Sequence, residues 1–186
     1  DSKVDQIVEL DFDHKTDVID HGHIPDGSPI KASDLETTVK RTVTVHNTDG
    51  STQTVNQDFT ATRTANYDPV TKKVISYNPW SGSSSAFTIS PQKGYKSRWT
   101  TRFGEGTPIS AKSGDTDYQL VPAYDVDAQH ITADTVPGQN VDVYYDAQDA
   151  TRTIKYQDKD TGKIVGSFDS DPGKVGTQVT VDIKGN

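Results

Sequence analysis

The stretch RTVTVHNTDGSTQTVNQDFTAT, residues 41–62, decides the fold. Val43 and Val45 alternate with Thr42, Thr44 and His46, and Val55, Phe59 and Ala61 alternate with Thr54, Asp58, Thr60 and Thr62. A period of two is the signature of a half-buried strand. Asp49-Gly50 between the runs is a turn signal, because glycine takes the backbone angles a tight turn needs. Working outward, the same alternation places Val8, Leu10 and Phe12 on one face and Glu9, Asp11 and Asp13 on the other. Further strands are expected at 73–77, 86–89, 118–124, 141–145, 152–158, 163–168 and 178–183. Asp68-Pro69, Lys93-Gly94, Pro137-Gly138, Thr161-Gly162 and Pro172-Gly173 mark turns between them.

Helical signal is weak. Ser33-Asp34-Leu35-Glu36 has the form of a capping box, but no apolar stripe of helical period follows. It starts a short helix or forms a polar turn before Val39. Residues 20–31, DHGHIPDGSPIK, read as a linker-like loop. An internal echo links two stretches: Arg41-Thr42-Val43-Thr44-Val45 followed by Asp49-Gly50, and Arg152-Thr153-Ile154-Lys155-Tyr156 followed by Asp160-Thr161-Gly162. Related hairpins in two modules would produce it, although many hairpins share this form.

Composition sets limits. Of 186 residues, 31% are hydrophobic, which suits small β modules better than one thick core. There is no cysteine, so disulfides, thiolate metal sites and cysteine nucleophiles are excluded. Nineteen Lys and Arg against 27 Asp and Glu give a net charge of −8, which repels nucleic acid and anionic membranes. No apolar run reaches membrane-spanning length. The sequence opens at Asp1 without an initiator methionine or signal peptide, and the expectation is a segment of a longer protein.

The run from Thr38 to Trp80 carries a family resemblance. It holds an Arg-Thr-aliphatic strand, an Asp-Gly turn, Gln53-Thr54-Val55, Phe59-Thr60-Ala61-Thr62-Arg63, then Val70-Thr71-Lys72-Lys73 and an aromatic-Trp segment ending at Trp80. With Gly94-Tyr95 and Val141-Asp142-Val143-Tyr144-Tyr145, this order resembles the Mub-type mucus-binding repeats of Gram-positive surface adhesins. Lys72 stands where those repeats usually have glycine, and the stretch 99–116 is longer than their usual spacing. The ends, 4–14 and 153–177, resemble the closing strand and the opening half of the MucBP-related module. The resemblance implies a mostly β fold (α+β, ubiquitin-like, β-grasp-type small modules) arranged as an elongated rod. It implies three segments: 1–24, a final strand of a preceding module plus linker; 25–147, a central module; and 148–186, a MucBP-like module. It further implies an extracellular, cell-wall-anchored repeat that binds mucin glycans without catalysis. Immunoglobulin binding through a sheet edge and a purely structural spacer role are the alternatives, and neighbouring repeats are expected partners.

The chemistry fits a binding protein. No Gly-x-Ser-x-Gly elbow, phosphate loop or dinucleotide fingerprint occurs. His14, His21 and His23 lie among Asp13, Asp17 and Asp20, but their spacing matches no zinc signature, and a solvated loop is the expectation. His46 and His130 read as isolated surface residues. Asp125-Val126-Asp127 and Asp158–Gly162 alternate oxygens as calcium loops do, without the closing Glu of an EF-hand. Turn-forming Asp is expected there, no cofactor is expected, and any calcium would be adventitious.

Two stretches are candidate ligand sites. KGYKSRWTTRF, residues 93–103, holds four cations and no acid. If it is extended, Tyr95, Trp99 and Phe103 face one side, and Lys96, Arg98 and Arg102 face the other. That makes either a guarded edge strand or a cationic stripe whose Arg forks take sialate or sulfate. Tyr77-Asn78-Pro79-Trp80 either stacks on sugar rings or buries its indole in the core. The candidate ligand residues are therefore Lys96, Arg98, Trp99, Arg102, Tyr77 and Trp80.

Overall fold

The computed structural model describes residues 8–129, 131–170 and 172–178. The protein is mostly β. Its strands in chain order are β1 (Asp17–Ile19), β2 (Glu36–Val39), β3 (Arg41–His46), β4 (Thr52–Asn56), β5 (Phe59–Thr62), β6 (Ala65–Asp68), β7 (Lys73–Tyr77), β8 (Phe87–Ile89) and β9 (Tyr95–Thr101). They continue as β10 (Gly104–Gly106), β11 (Ile109–Ser113), β12 (Thr116–Val121), β13 (Gln139–Ala147), β14 (Asp149–Ala150), β15 (Thr153–Gln157), β16 (Ile164–Asp169) and β17 (Gly173–Lys174). One helical turn, α1 (Ala32–Leu35), precedes β2. No helix among the described residues is long and apolar enough to cross a membrane.

The chain forms two compact units that interleave in sequence. The first takes 1–40, 58–84 and 125–138; the second takes 41–57, 85–124 and 139–186. The alternation read as one pattern across Val55–Ala61 is therefore two strands in different units. It breaks at Gln57-Asp58, where the chain passes from one unit to the other.

In the first unit, β6 pairs with β1 and β7, and β2 pairs with β5, all antiparallel. Ile19, Ile30, Leu35, Ala65 and Tyr67 form its core, with Ile24, Val74 and Tyr77 against it. Ile24 and Ile30 belong to the stretch that reads as linker-like. It is a loop, but its two isoleucines anchor it in the core. The helical turn forms without the Ser33–Glu36 box. The Lys31 amide donates to Asp34 Oδ2 at 2.8 Å, and Glu36 already belongs to β2.

One expected strand is absent. Residues 8–14 form no strand and join no sheet among the described residues. Val8, Leu10 and Phe12 are 75%, 73% and 84% exposed. Alternation supplies a face, but a strand also needs a neighbour to take its backbone hydrogen bonds. The expected strand at 178–183 lies almost entirely outside the described residues.

In the second unit, five strands run in the order β10-β9-β13-β3-β4. β13 lies parallel to β3 and antiparallel to β9, and β3 and β4 form the hairpin that Asp49-Gly50 turns. The sheet thus has a central parallel pair with antiparallel neighbours. No helix packs on it among the described residues. Instead β8, β12 and β11 form a second sheet, and Ile89 and Val121 join Val43, Val45, Val141 and Val143 in one core. The long stretch 99–116 holds two short strands, β10 and β11.

Arg41 lies on the core side of β3 and is completely buried. Its Nε donates to Gln139 Oε1 (3.0 Å), and its Nη1 donates to Gln57 Oε1 (2.7 Å) and the Ser85 carbonyl (2.8 Å). Its Nη2 donates to the Pro122 carbonyl at 2.5 Å. Gln57, Ser85 and Gln139 are residues at which the chain leaves or re-enters this unit, so one guanidinium ties its three segments together. Burial pushes the Arg41 pKa down, yet a guanidinium starts so high that it stays charged.

Candidate functional site

Alternation splits the five-stranded sheet into two faces. Val43, Val45, Val141, Val143, Ser97 and Trp99 turn inward. Lys96 and Arg98 from β9, Asp142, Tyr144 and Asp146 from β13, and Thr44 and His46 from β3 turn outward. Register then sets the neighbours: Tyr144 lies opposite both Arg98 and His46, Asp146 opposite Lys96, and Asp142 opposite Thr44.

These positions build a ladder across three strands. The Arg98 guanidinium carbon lies 4.4 Å from the Tyr144 ring centre. The His46 ring stacks on the same tyrosine at 4.4 Å and 6°. Both stacking partners are braced by carboxylates. Arg98 Nε donates to Asp146 Oδ2 at 2.7 Å, and His46 Nε2 lies 2.9 Å from Asp142 Oδ1. A planar guanidinium over an aromatic face is favourable, and the brace fixes its direction. Among the described residues the two Nη groups of Arg98 have no protein acceptor.

Beside this ladder is a groove of about 320 Å³ lined by Lys96, Arg98, Glu105, Gly106, Thr107 and Asp146. β10, antiparallel to the outer edge of β9, supplies its wall. Gly106 is required there. A Cβ at that position would sit 2.7 Å from the Trp99 ring, so only glycine lets β10 close over the indole.

The structure brings Lys96 and Arg98 together and separates the other candidates from them. β9 ends at Thr101, and a turn follows at Arg102 and Phe103. There Arg102 lies over the Phe103 ring at 4.5 Å, and Phe103 stacks near buried Tyr124. The expected continuous stripe is thus a pair of cations on the sheet face, with Arg102 placed at the turn. Trp99 packs on the inward side against the core.

Tyr77 and Trp80 belong to the first unit. Trp80 is 1% exposed, its Nε1 donates to the Ala133 carbonyl at 2.8 Å, and Arg63 lies 4.6 Å above its ring. The same guanidinium carbon is 4.1 Å from the Tyr77 ring. The cation occupies the faces that a sugar would need, and Trp80 fills the core.

None of His46, Tyr144, Asp142, Asp146 and Glu105 is among the candidate ligand residues read from the sequence. His46 is not isolated, because pairing of β3 with β13 sets it against Tyr144 and Asp142. His130 lies outside the described residues. His14 pairs with Asp68, His21 with Glu36 and His23 with Asp20, so the three N-terminal histidines point to three different carboxylates. No group of three or more His, Asp or Glu side chains converges as a metal site among the described residues. Asp125 and Asp158 accept hydrogen bonds from backbone amides two and three residues ahead, as turn-forming Asp does. The Thr161 hydroxyl and amide hold the Asp158 pKa below the usual carboxylate value.

No curated protein matches the chain. Two solved structures are similar to it. One is the mucin-binding domain of Spr1345 from Streptococcus pneumoniae, with 19% identity, 60% of this chain and 90% of that chain covered, and a TM-score of 0.31. The other is the type 2 repeat of the mucus binding protein MUB from Lactobacillus reuteri, with 19% identity, 72% of this chain and 60% of that chain covered, and a TM-score of 0.33. Superpositions this loose say nothing about what either chain binds. The sequence match is to the Muc B2-like domain, over residues 30–121. That span takes in β2 to β12, including Arg41 and the strand bearing Lys96 and Arg98, and the match supports a Mub-type mucus-binding repeat.

Proposed function

We propose that this chain is a non-catalytic repeat unit of an extracellular, wall-anchored adhesin, and that it retains mucus glycoproteins by their glycans at the groove beside Lys96 and Arg98. In the parent protein, repeats of this kind stand in series as an elongated rod. The family match favours mucus as the target. The observation that carries the site is the braced Arg98. Its Nε is held by Asp146, its plane rests on Tyr144, and its Nη pair is left for a ligand in a groove that Lys96 also lines. A guanidinium fixed in this way presents a preformed fork to a planar anion such as the carboxylate of a sialic acid. Glu105 and Asp146 in the same groove suit the hydroxyls of neighbouring sugars. Single-repeat affinity is expected to be weak, with tandem copies supplying retention.

The test is binding of immobilised mucin by the purified chain. Arg98→Ala with Lys96→Ala should weaken binding about tenfold, equivalent to roughly 1.4 kcal/mol, while Arg102→Ala leaves it unchanged. Raising salt should weaken binding in the wild type, because exposed charges are screened within about 10 Å at 0.1 M. Equal loss from Arg102→Ala would refute this site. No retention by the wild type would favour the spacer role. An immunoglobulin pull-down tests the host-protein alternative, for which the uncharged edge strand β4 is the relevant feature.

A further inference from the structure

The internal echo extends from sequence to hydrogen bonding. In the first hairpin the Gln57 amide donates to the Arg41 carbonyl at 2.8 Å, and in the second the Ser170 amide donates to the Arg152 carbonyl at 2.8 Å. Each turn is closed by an outer backbone pair and an inner glycine amide, the second turn being one residue longer. Asn47 N–H donates to the Ser51 carbonyl and Gly50 N–H to the Asn47 carbonyl; Asp158 N–H donates to the Lys163 carbonyl and Gly162 N–H to the Asp158 carbonyl. So β15–β16 repeats the β3–β4 hairpin, with a turn one residue longer and a bulge between Tyr156 and Gln157.

Their surroundings differ. The free edge of β3 is covered by β13 in parallel, and Val43, Val45, Val141 and Val143 are buried there to 5% exposure or less. β15–β16 is a two-stranded sheet with no such neighbour among the described residues. Tyr156 and Phe168, stacked at 5.8 Å, are each 40% exposed, and Ile164 is 54% exposed. A lone hairpin is marginal in water, and an open edge recruits strands.

The sequence contains a second copy of the covering strand. Val8-Glu9-Leu10-Asp11-Phe12-Asp13 repeats the pattern of Val141-Asp142-Val143-Tyr144-Tyr145-Asp146: valine, acid, aliphatic, any residue, aromatic, aspartate. It is unpaired among the described residues, and its apolar side chains are the most exposed large ones described, up to 84% at Phe12. Transferring the β13–β3 register, with Arg41 matched to Arg152, sets Val8 opposite Ile154, Glu9 opposite Lys155 and Leu10 opposite Tyr156. The acid meets the lysine, and the three apolar side chains of the segment fall on the exposed apolar side of the hairpin.

We infer that residues 8–13 of one copy of this chain add in parallel to β15 of a second copy, in the register Glu9 opposite Lys155. The contact is heterologous: each chain offers one strand and one edge, so it propagates head to tail or closes a ring.

The absence of native cysteine makes the register testable. Glu9→Cys and Lys155→Cys proteins are mixed under mild oxidation, because directly opposed strand positions lie within disulfide reach. The expected result is a mixed dimer at least fivefold more abundant than with Glu9→Cys and Tyr156→Cys, which face opposite sides. Equal yields overturn the register. The chain carrying both cysteines should give a ladder that grows with concentration; only internally linked monomer, at every concentration, overturns the second copy as partner. Leu10→Asp changes an exposed side chain and leaves the fold intact, so it is the control in sedimentation. Wild type should gain mass with concentration and Leu10→Asp should not. A wild type that stays monomeric at about 1 mM, or a variant that associates equally, overturns the inference.

Discussion

Replacing Arg41 with methionine keeps the apolar stem and removes the charged fork. The arginine is completely buried and donates to Gln139 Oε1, Gln57 Oε1 and the carbonyls of Ser85 and Pro122. Two effects oppose. Burying the charge costs several kcal/mol, so its removal returns some free energy. Each acceptor left without its donor costs about 1–3 kcal/mol, and hydrogen bonds from a charged group are worth about 1.5–3 kcal/mol each. Four acceptors on one donor make the loss the larger effect, in line with the roughly 3–5 kcal/mol for removing one partner of a buried charged network. Both backbone carbonyls stand close to strand ends, Ser85 just before β8 and Pro122 just after β12, which limits their freedom to turn to water. Urea unfolding followed by tryptophan fluorescence is the assay. With a slope of about 2 kcal/mol per molar, the midpoint should fall by roughly 1.5–2.5 M. Arg41→Lys keeps the charge but not the planar fork, so its midpoint should lie between those of methionine and wild type. A methionine variant within about 1 kcal/mol of wild type would refute the reasoning and reduce Arg41 to a passenger.

Three further outcomes follow from particular residues. Lys72, at φ 57°, is the one non-glycine residue with positive φ among the described residues; Lys72→Gly should stabilise by about 0.5–1 kcal/mol in thermal melts, since a side chain there is strained by about 1–2 kcal/mol and glycine gives part of that back as chain entropy. Gly82 has φ 144°, and a Cβ there would sit 2.8 Å from the Thr60 carbonyl oxygen; Gly82→Ala should lower the melting temperature, and an unchanged value would count against the close approach of that loop to β5. The Thr71 hydroxyl first, then His14, hold the Asp68 carboxyl well below the usual carboxylate range. Its folded pKa lies under its unfolded value of about 3.9, so its stabilisation is fully present above that pH and fades as pH falls further; Asp68→Asn should therefore melt lower than wild type at pH 7, with the gap closing below about pH 4.

Local chemistry made much of this legible. Strands β3, β7, β13, β15 and β16 lie where alternation put them, because period-two patterning is a property of neighbouring residues. The turn at Asp49-Gly50 and the oddity of Lys72 in a glycine position were also readable, since φ preferences are local. Segment 8–13 shows the limit of such patterning: alternation reports which side could be buried, not where the partner strand lies.

The sequence by itself determined a mostly β chain, its turns, its resemblance to mucus-binding repeats and the cations of β9. Tertiary structure alone decided that Arg98 meets Tyr144, 46 positions away, and that His46 stacks on the same tyrosine; that Arg102 leaves the stripe at a turn; and that Trp80 lies beneath Arg63 rather than open to a sugar. The reason is register. Which face a side chain takes is written locally, but which side chain stands opposite is set by pairing between distant strands, and a slip of one residue would turn every one of these groups to the other face.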